Sequence, residues 1–249
     1  MITRSELENY AKSRGIKNIG HAEIDYFQNV ILFAIYKNFG KSLIFKGGTA
    51  LSKCYGLLRF SEDLDFTAES EVNEGVIYDE LKRFRVEFAS EKKIYENGIK
   101  HTIKINGPLF VGTKSSLCRI IIDISLREKV ILRPEIKSIG RFMEEIPSFD
   151  VLVMNKKEIF AEKIRAIMTR NKARDVYDLL FLSKEDNYFD EFLINEKLKY
   201  YNKKWSKEKF IKSLNEKKDI WITELTPLLD DVPEIKLVKK EILSAMKLN

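Results

Sequence analysis

The stretch Phe45-Lys46-Gly47-Gly48-Thr49-Ala50-Leu51, with Ser61-Glu62-Asp63-Leu64-Asp65-Phe66 a short way on, decides how this chain folds. Leu43-Ile44-Phe45 is a short apolar run and reads as a buried strand. It delivers Gly47-Gly48, after which Thr49 to about Leu57 reads as a helix with Thr49 as its N-cap. Glycine lets the backbone approach a phosphate closely, and a helix N-terminus offers unbonded N–H groups and a partial positive charge. Leu64 to Thr67 reads as the next strand. At a period of two, Asp63 and Asp65 project from one face while Leu64 and Phe66 point into the core.

Two carboxylates about 6–7 Å apart repel by ~2–3 kcal/mol at an effective dielectric of about 20. A cation between them removes that repulsion. With oxygen ligands alone, Mg²⁺ or Mn²⁺ is the natural ion. Asp123 interrupts the apolar run Ile120-Ile121-Ile122-Asp123-Ile124, which otherwise reads as a central strand. Burying an unpartnered Asp there is costly, so Asp123 is expected to face a polar, metal-bearing cleft. Three carboxylates on neighbouring strands beside a Gly-rich turn suit two-metal phosphoryl chemistry. Asp-x-Asp alone is as easily a solvated strand pair, and it is the ordered combination that is specific. Ser61 could touch a phosphate or simply hydrogen-bond at the strand entry.

Working outward, Ser5 and Glu8 fit a capping box for a first helix ending near Gly15, and His21 to Asn38 reads as a second helix stopped by Gly40. Ile77, Leu81, Phe84 and Phe88 recur at helical spacing, predicting one amphipathic helix over about 73–95. Thr102–Asn106 and Val151–Val153 read as strands, and His101 as a surface residue. After Asn155 the pattern is helical and nearly free of Gly, with Pro only at 227 and 233. The expected class is α+β: a mixed sheet with flanking helices over 1–150, then a mainly helical region over 151–249 that contributes to the active site.

Lys+Arg 44 against Asp+Glu 38 gives +6 over 249 residues, a mild basic excess compatible with a polyanionic partner. Hydrophobic residues at 44% and charged residues at 33% exclude a disordered chain. With Cys54 and Cys118 as the only cysteines and His21 and His101 as the only histidines, a disulfide scaffold and most Cys- or His-based metal sites are excluded. Residues 1–20 carry no export-signal pattern, and Val30–Tyr36 is far short of the ~20 apolar residues of a membrane span. A reduced, cytoplasmic protein without a membrane partner is expected.

A second block is basic. Lys163, Arg165, Arg170, Lys172 and Arg174 occur with no acid among them. On a helix, Lys163, Ala166 and Arg170 share a face. Asp175 then sits near the start of the next helix, where a negative charge is favourable. A lysine aimed at a triphosphate would neutralise β- or γ-phosphate charge. The plain alternative is a solvated basic helix with Asp175 and Asp178 as local salt-bridge partners. Tyr200 to Lys207 interleaves aromatics with lysines, which suits either base stacking or half-buried rings under solvated lysines.

Gly47-Gly48-Thr49 followed by Asp63-x-Asp65 resembles the signature of the nucleotidyltransferase superfamily. The fuller wording, with Phe160-Ala161-Glu162-Lys163-Ile164-Arg165-Ala166 and Arg174-Asp175-Val176-Tyr177-Asp178-Leu179, is similar to the AbiEii/AbiGii-type abortive-infection toxins, MenT-type toxins among them. The resemblance spans about 40–185. It implies transfer of a nucleoside monophosphate from an NTP, with Mg²⁺ or Mn²⁺, and a separately encoded antitoxin as partner. It further implies that Asp63, Asp65 and Asp123 hold metal, that Gly47, Gly48, Thr49 and Ser61 bind nucleotide, that Lys163 contacts the triphosphate, and that Asp175 completes the catalytic set. The expected acceptor is a tRNA 3′ end, contacted by Arg165, Arg170, Lys172 and Arg174, with Lys203 and Lys204 as further candidates. A small-molecule or protein hydroxyl is the alternative acceptor, and a non-catalytic nucleotide-binding module the alternative of another class.

Overall fold

The sheet is built from β1 (Leu43–Lys46), β2 (Asp63–Ala68), β3 (Phe88–Tyr95), β4 (Gly98–Ile105), β5 (Cys118–Ser125), β6 (Glu135–Ile139) and β7 (Phe149–Val153). The computed structural model describes residues 2–39, 42–68, 75–140, 146–185 and 188–248. The strand order is β3-β4-β5-β2-β1-β7-β6. The β2–β5 and β1–β7 pairs are parallel and the other pairs antiparallel, so the sheet is mixed. The chain divides into two units. The first, Met1–Cys54, Glu62–Lys129 and Pro134–Val153, contains the whole sheet.

In that unit α1 (Arg4–Arg14) is capped by Thr3 and Glu6 in a reciprocal capping box and closed by left-handed Gly15. The box lies two residues before the expected Ser5–Glu8 pair, because Thr3 holds the extended conformation from which the helix starts. The second helix, α2 (Ile19–Phe39), covers the expected His21–Asn38; its expected stop, Gly40, lies outside the described residues. Phe27, Val30, Ile31, Ala34 and Ile35 are fully buried, and α2 packs against β5 and β7. Phe33 meets the Phe149 ring edge-on at 5.6 Å. The Tyr36 hydroxyl donates to the carbonyls of Leu43 (3.1 Å) and Leu152 (2.9 Å). On the same face of the sheet, Phe45 and Phe66 stack at 5.3 Å.

The single helix expected over 73–95 is not formed. Residues 73 and 74 lie outside the described residues, and α4 occupies only Gly75–Arg83. The chain turns at Arg85, which takes a left-handed φ of 53°, with the Val86 N–H closing on Leu81 O at 3.0 Å. Residues 88–95 then form β3, paired along its length with β4. Ile77 and Leu81 are buried as a helical face requires, but Phe88 lies in the strand. The helical spacing across Phe84 and Phe88 is coincidental; cross-strand pairing decides the conformation. His101 is 2% exposed rather than on the surface, because its register with Ile122 turns it to the core side of the sheet.

The second unit comprises Tyr55–Ser61, Val130–Arg133 and Met154–Asn249. It is helical: α5 (Lys156–Thr169), α6 (Ala173–Leu182), α7 (Glu191–Lys199), α8 (Lys207–Glu216), α9 (Trp221–Leu225) and α10 (Ile235–Ala245). Side-chain oxygens of Asn155, Asp190 and Ser206 cap α5, α7 and α8. Phe160, Ile164, Val176, Leu179, Leu198 and Phe210 fill its core. Lys197 is fully buried, its Nζ 2.6 Å from Glu158 and 3.4 Å from Glu162. Glu158 also accepts the backbone N–H groups of Ile131 (2.9 Å) and Leu132 (2.8 Å), so this buried charge is paired and hydrogen-bonded. Trp205 lies against Phe189 and Phe210, placing that aromatic ring in the packing of the helices. Among the described residues no helix is long and apolar enough to cross a membrane.

Candidate active site

Residues that the sequence marks as candidates occur in both units. In the sheet unit, β1 ends at Lys46 and the chain turns at Gly47, whose φ is +76°. The helix α3 (Gly47–Tyr55) begins at that glycine, so Thr49 lies inside the first turn and is not the N-cap. The Thr49 hydroxyl instead donates to the carbonyl of Asp63, pinning the helix start to the start of β2. The first-turn N–H groups, including those of Gly48 and Thr49, lack intrahelical acceptors. A Cβ at Gly47 would lie 2.9 Å from Asp65 Cγ and closer still to one carboxylate oxygen. Only glycine therefore suits this position, on grounds of φ and of the carboxylate beside it.

The strand register assembles the carboxylates. Asp65 is the Cα partner of Asp123 across parallel β2–β5, and Asp63 lies opposite Ile121 on the same face. Adjacent strands are about 4.8 Å apart. Lys46 of β1 lies opposite Asp65, and Lys100 of β4 opposite Asp123. One row across the sheet thus reads Lys46, Asp65, Asp123, Lys100. Asp123 is exposed, Asp63 and Asp65 are half-buried, and Lys46 is buried with its Nζ 3.7 Å from Glu128. Local patterns gave Lys46 and Lys100 no role; their place beside the carboxylates depends on register.

Among the described residues, no group of three or more His, Cys, Asp and Glu side chains is arranged to hold a metal ion unaided. Mg²⁺ is usually bound by one or two carboxylates together with substrate phosphates and water. The donor set fits such an ion: hard carboxylate oxygens in adjacent register, with a glycine where any side chain would collide with Asp65. Beside Asp63 lies a cavity of about 410 Å³, lined by His21, Glu62, Ser115, Ser116, Arg119 and Ile121 among others. Its size falls in the range of small-molecule sites. Burial pushes the His21 imidazole down, opposed by nearby Glu62, so its neutral form is favoured.

In the helical unit, Lys163 on α5 is buried, with its Nζ 3.0 Å from Asp175 and 2.6 Å from Asp178, both on α6. Arg170 holds Asp175 through Nε (2.7 Å) and Nη2 (2.9 Å). Arg59 grips Asp178 with two nitrogens, at 2.5 and 2.7 Å. The chain of charge is Arg59, Asp178, Lys163, Asp175, Arg170: three cations on two anions. Burial alone would raise the Asp175 carboxyl, but Lys163 and Arg170 outweigh it and hold it below the usual range. Burial opposes ionisation of Asp178 too, and Arg59 with Lys163 reverses that.

The other expected residues are not gathered into one free surface. Ser61 is half-buried at the end of the Tyr55–Ser61 segment. The Arg165 guanidinium lies 4.9 Å from the Tyr201 ring centre, Lys172 pairs with Glu224 at 3.2 Å, and Arg174 is half-buried. Lys203 donates to the Met168 carbonyl at 2.6 Å, while Lys204 is exposed. Arg59 has no sequence signal, because a single arginine in a loop carries no periodicity.

The fold is that of the nucleotidyltransferase toxins. It is similar to MenT4, a nucleotidyltransferase toxin from Mycobacterium tuberculosis, with a TM-score of 0.65 and 19% identity over 100% of this chain and 89% of that one. It is also similar to JHP933 from Helicobacter pylori, with a TM-score of 0.62 and 21% identity over 92% of this chain and 90% of that one. A comparison with curated proteins gave no match. A family described as "Nucleotidyl transferase AbiEii toxin, Type IV TA system" matches residues 30–243, and the chain belongs to that family. Its members are nucleotidyltransferase toxins, each paired with a separate antitoxin.

Proposed function

We propose that this protein transfers a nucleoside monophosphate from an NTP to a hydroxyl at the 3′ end of a tRNA, releasing pyrophosphate, in the presence of Mg²⁺ or Mn²⁺. The observation that carries the reading is the β2–β5 register, in which Asp65 and Asp123 are neighbours and Asp63 shares their face. Asp63, Asp65 and Asp123 hold divalent ions; when bound, these supply charge neutralisation at the triphosphate and make the acceptor hydroxyl more acidic. The Gly47, Gly48 and Thr49 N–H groups cradle the β- and γ-phosphates, and the Ser61 hydroxyl is a further phosphate donor. Lys163 adds positive charge for the triphosphate, with Asp175 fixing its Nζ. The acceptor oxygen attacks the α-phosphorus as its proton passes to the Asp123 carboxylate. The bond from the α-phosphorus to the bridging oxygen breaks, and pyrophosphate leaves with that electron pair.

The test is nucleotide transfer to bulk tRNA by the Asp63→Asn and Asp65→Asn variants. Each should abolish transfer without lowering Tm. Either variant retaining more than about a tenth of wild-type turnover, a loss under ~1.4 kcal/mol, contradicts the metal assignment. Robust NTP turnover with label found only on a protein or small molecule contradicts the tRNA assignment.

A further inference from the structure

The face of the sheet that bears Asp63, Asp65 and Asp123 continues outward across β4 and β3, and its side chains there are strongly basic. Register fixes which residues share it. Lys100 lies opposite Asp123 and Lys93 opposite Lys100; Lys104 lies opposite Arg119. The other side of β4 is apolar and buried at Ile99, Ile103 and Ile105, whereas Lys100, Thr102 and Lys104 are half-exposed. Lys93 and Arg119 are exposed, and Tyr95, two residues along β3 on this same face, is 56% exposed. Glu91 is the one acid among these positions on β3 and β4, shared between Lys93 at 3.2 Å and Lys104 at 3.6 Å. On β3 and β4 three cations stand against this one anion, and Arg119 on β5 adds a fourth on the strand that carries Asp123. Arg119 also lines the cavity next to Asp63, so the basic face runs into the candidate site.

We infer that this face of β3, β4 and β5 is the track on which the single-stranded 3′ end of the acceptor RNA lies, its phosphates over Lys93, Lys100, Lys104 and Arg119 and a base on Tyr95. The inference rests on the transferase reading, which needs a hydroxyl delivered to Asp123. It assigns the acceptor to a surface that the sequence did not suggest. The expected alternative, Arg165, Arg170 and Lys172 on the helical unit, already engages Tyr201, Asp175 and Glu224. A sheet face with flanking cations and an exposed aromatic ring suits splayed single-stranded bases, which stack on aromatic planes while the backbone follows positive charge. Duplex RNA would leave Tyr95 without a base to stack on.

The experiment measures binding of bulk deacylated tRNA to the full-length protein over a salt series, with transfer of labelled nucleotide to the same RNA as the second readout. Replacing Lys93 and Lys104 together by Ser should flatten the log–log salt slope by about 1.4, at ~0.7 per phosphate contact. The same variant should lose most RNA labelling while binding NTP as the wild type does. A Lys172→Ser, Arg174→Ser variant should keep the wild-type slope. The inference is overturned if the Lys93→Ser, Lys104→Ser variant binds and labels tRNA like the wild type, if the helical pair flattens the slope instead, or if the wild type does not bind tRNA. Steep, face-dependent tRNA binding with no nucleotide transferred would support the track and sink the transferase reading.

Discussion

Gly47→Ala separates backbone strain from displacement of the site. At φ +76° an alanine costs about 1–2 kcal/mol over glycine. For a protein of this size that lowers Tm by roughly 2–8 °C. The added Cβ would also sit 2.9 Å from Asp65 Cγ, so the carboxylate has to swing away from its place opposite Asp123. A misplacement of about 1 Å in a catalytic constellation costs ~100-fold in rate. Gly15→Ala is the matched control: its φ is +66° and a Cβ there meets nothing within 4 Å. Both variants should lose similar stability by thermal melting, while only Gly47→Ala should lose transfer, by about 100-fold, measured with saturating NTP and Mg²⁺. Equal activity in the two variants would refute the argument that Gly47 is kept for the sake of Asp65.

Arg59→Met should destabilise the helical unit by ~3–5 kcal/mol, because it leaves the buried Asp178 carboxylate with Lys163 as its remaining cation; chemical denaturation checks this. Asp175 and Asp178 have folded-state values below the ~3.9 of an unfolded Asp, so their contribution is complete above about pH 4 and is lost as pH falls through the folded values. The stability of Asp175→Asn, measured by denaturation over a pH series, should accordingly depend less steeply on pH below about 4 than that of the wild type. Chelation with EDTA should abolish nucleotide transfer, with activity restored by Mg²⁺ or Mn²⁺ and not by monovalent salt.

Much of the fold was legible because it is local. Leu43–Phe45, the β-branched run at Ile120–Ile124 and the Gly-poor helical pattern after Asn155 each declare their element within a few residues. That Asp63 and Asp65 share a face follows from the two-residue period of a strand. What is non-local was not legible. Nothing near Phe88 announces that β4 will capture residues 88–95, and the turn at Arg85 uses a left-handed conformation that arginine seldom signals. His101 and Lys100 are neighbours in sequence with opposite fates, one in the core and one beside Asp123, and only register separates them. Thr49 looked like a cap because Gly-Gly-Thr suits one; the hydrogen bond to Asp63 that recruits its hydroxyl comes from a strand still to follow. The grip of Arg59 and Lys163 on Asp178 joins a loop to two helices, and no spacing rule predicts it.

The central claim, nucleotidyl transfer at the Asp63, Asp65 and Asp123 face, is tested most directly by where label travels. The protein is incubated with Mg²⁺, bulk tRNA and an NTP labelled either on the α- or on the γ-phosphate. The account predicts that α-label appears on the RNA 3′ end, that γ-label leaves as pyrophosphate, and that Asp65→Asn does neither. Transfer of γ-label to any acceptor, or α-labelling that survives in Asp65→Asn, would contradict it.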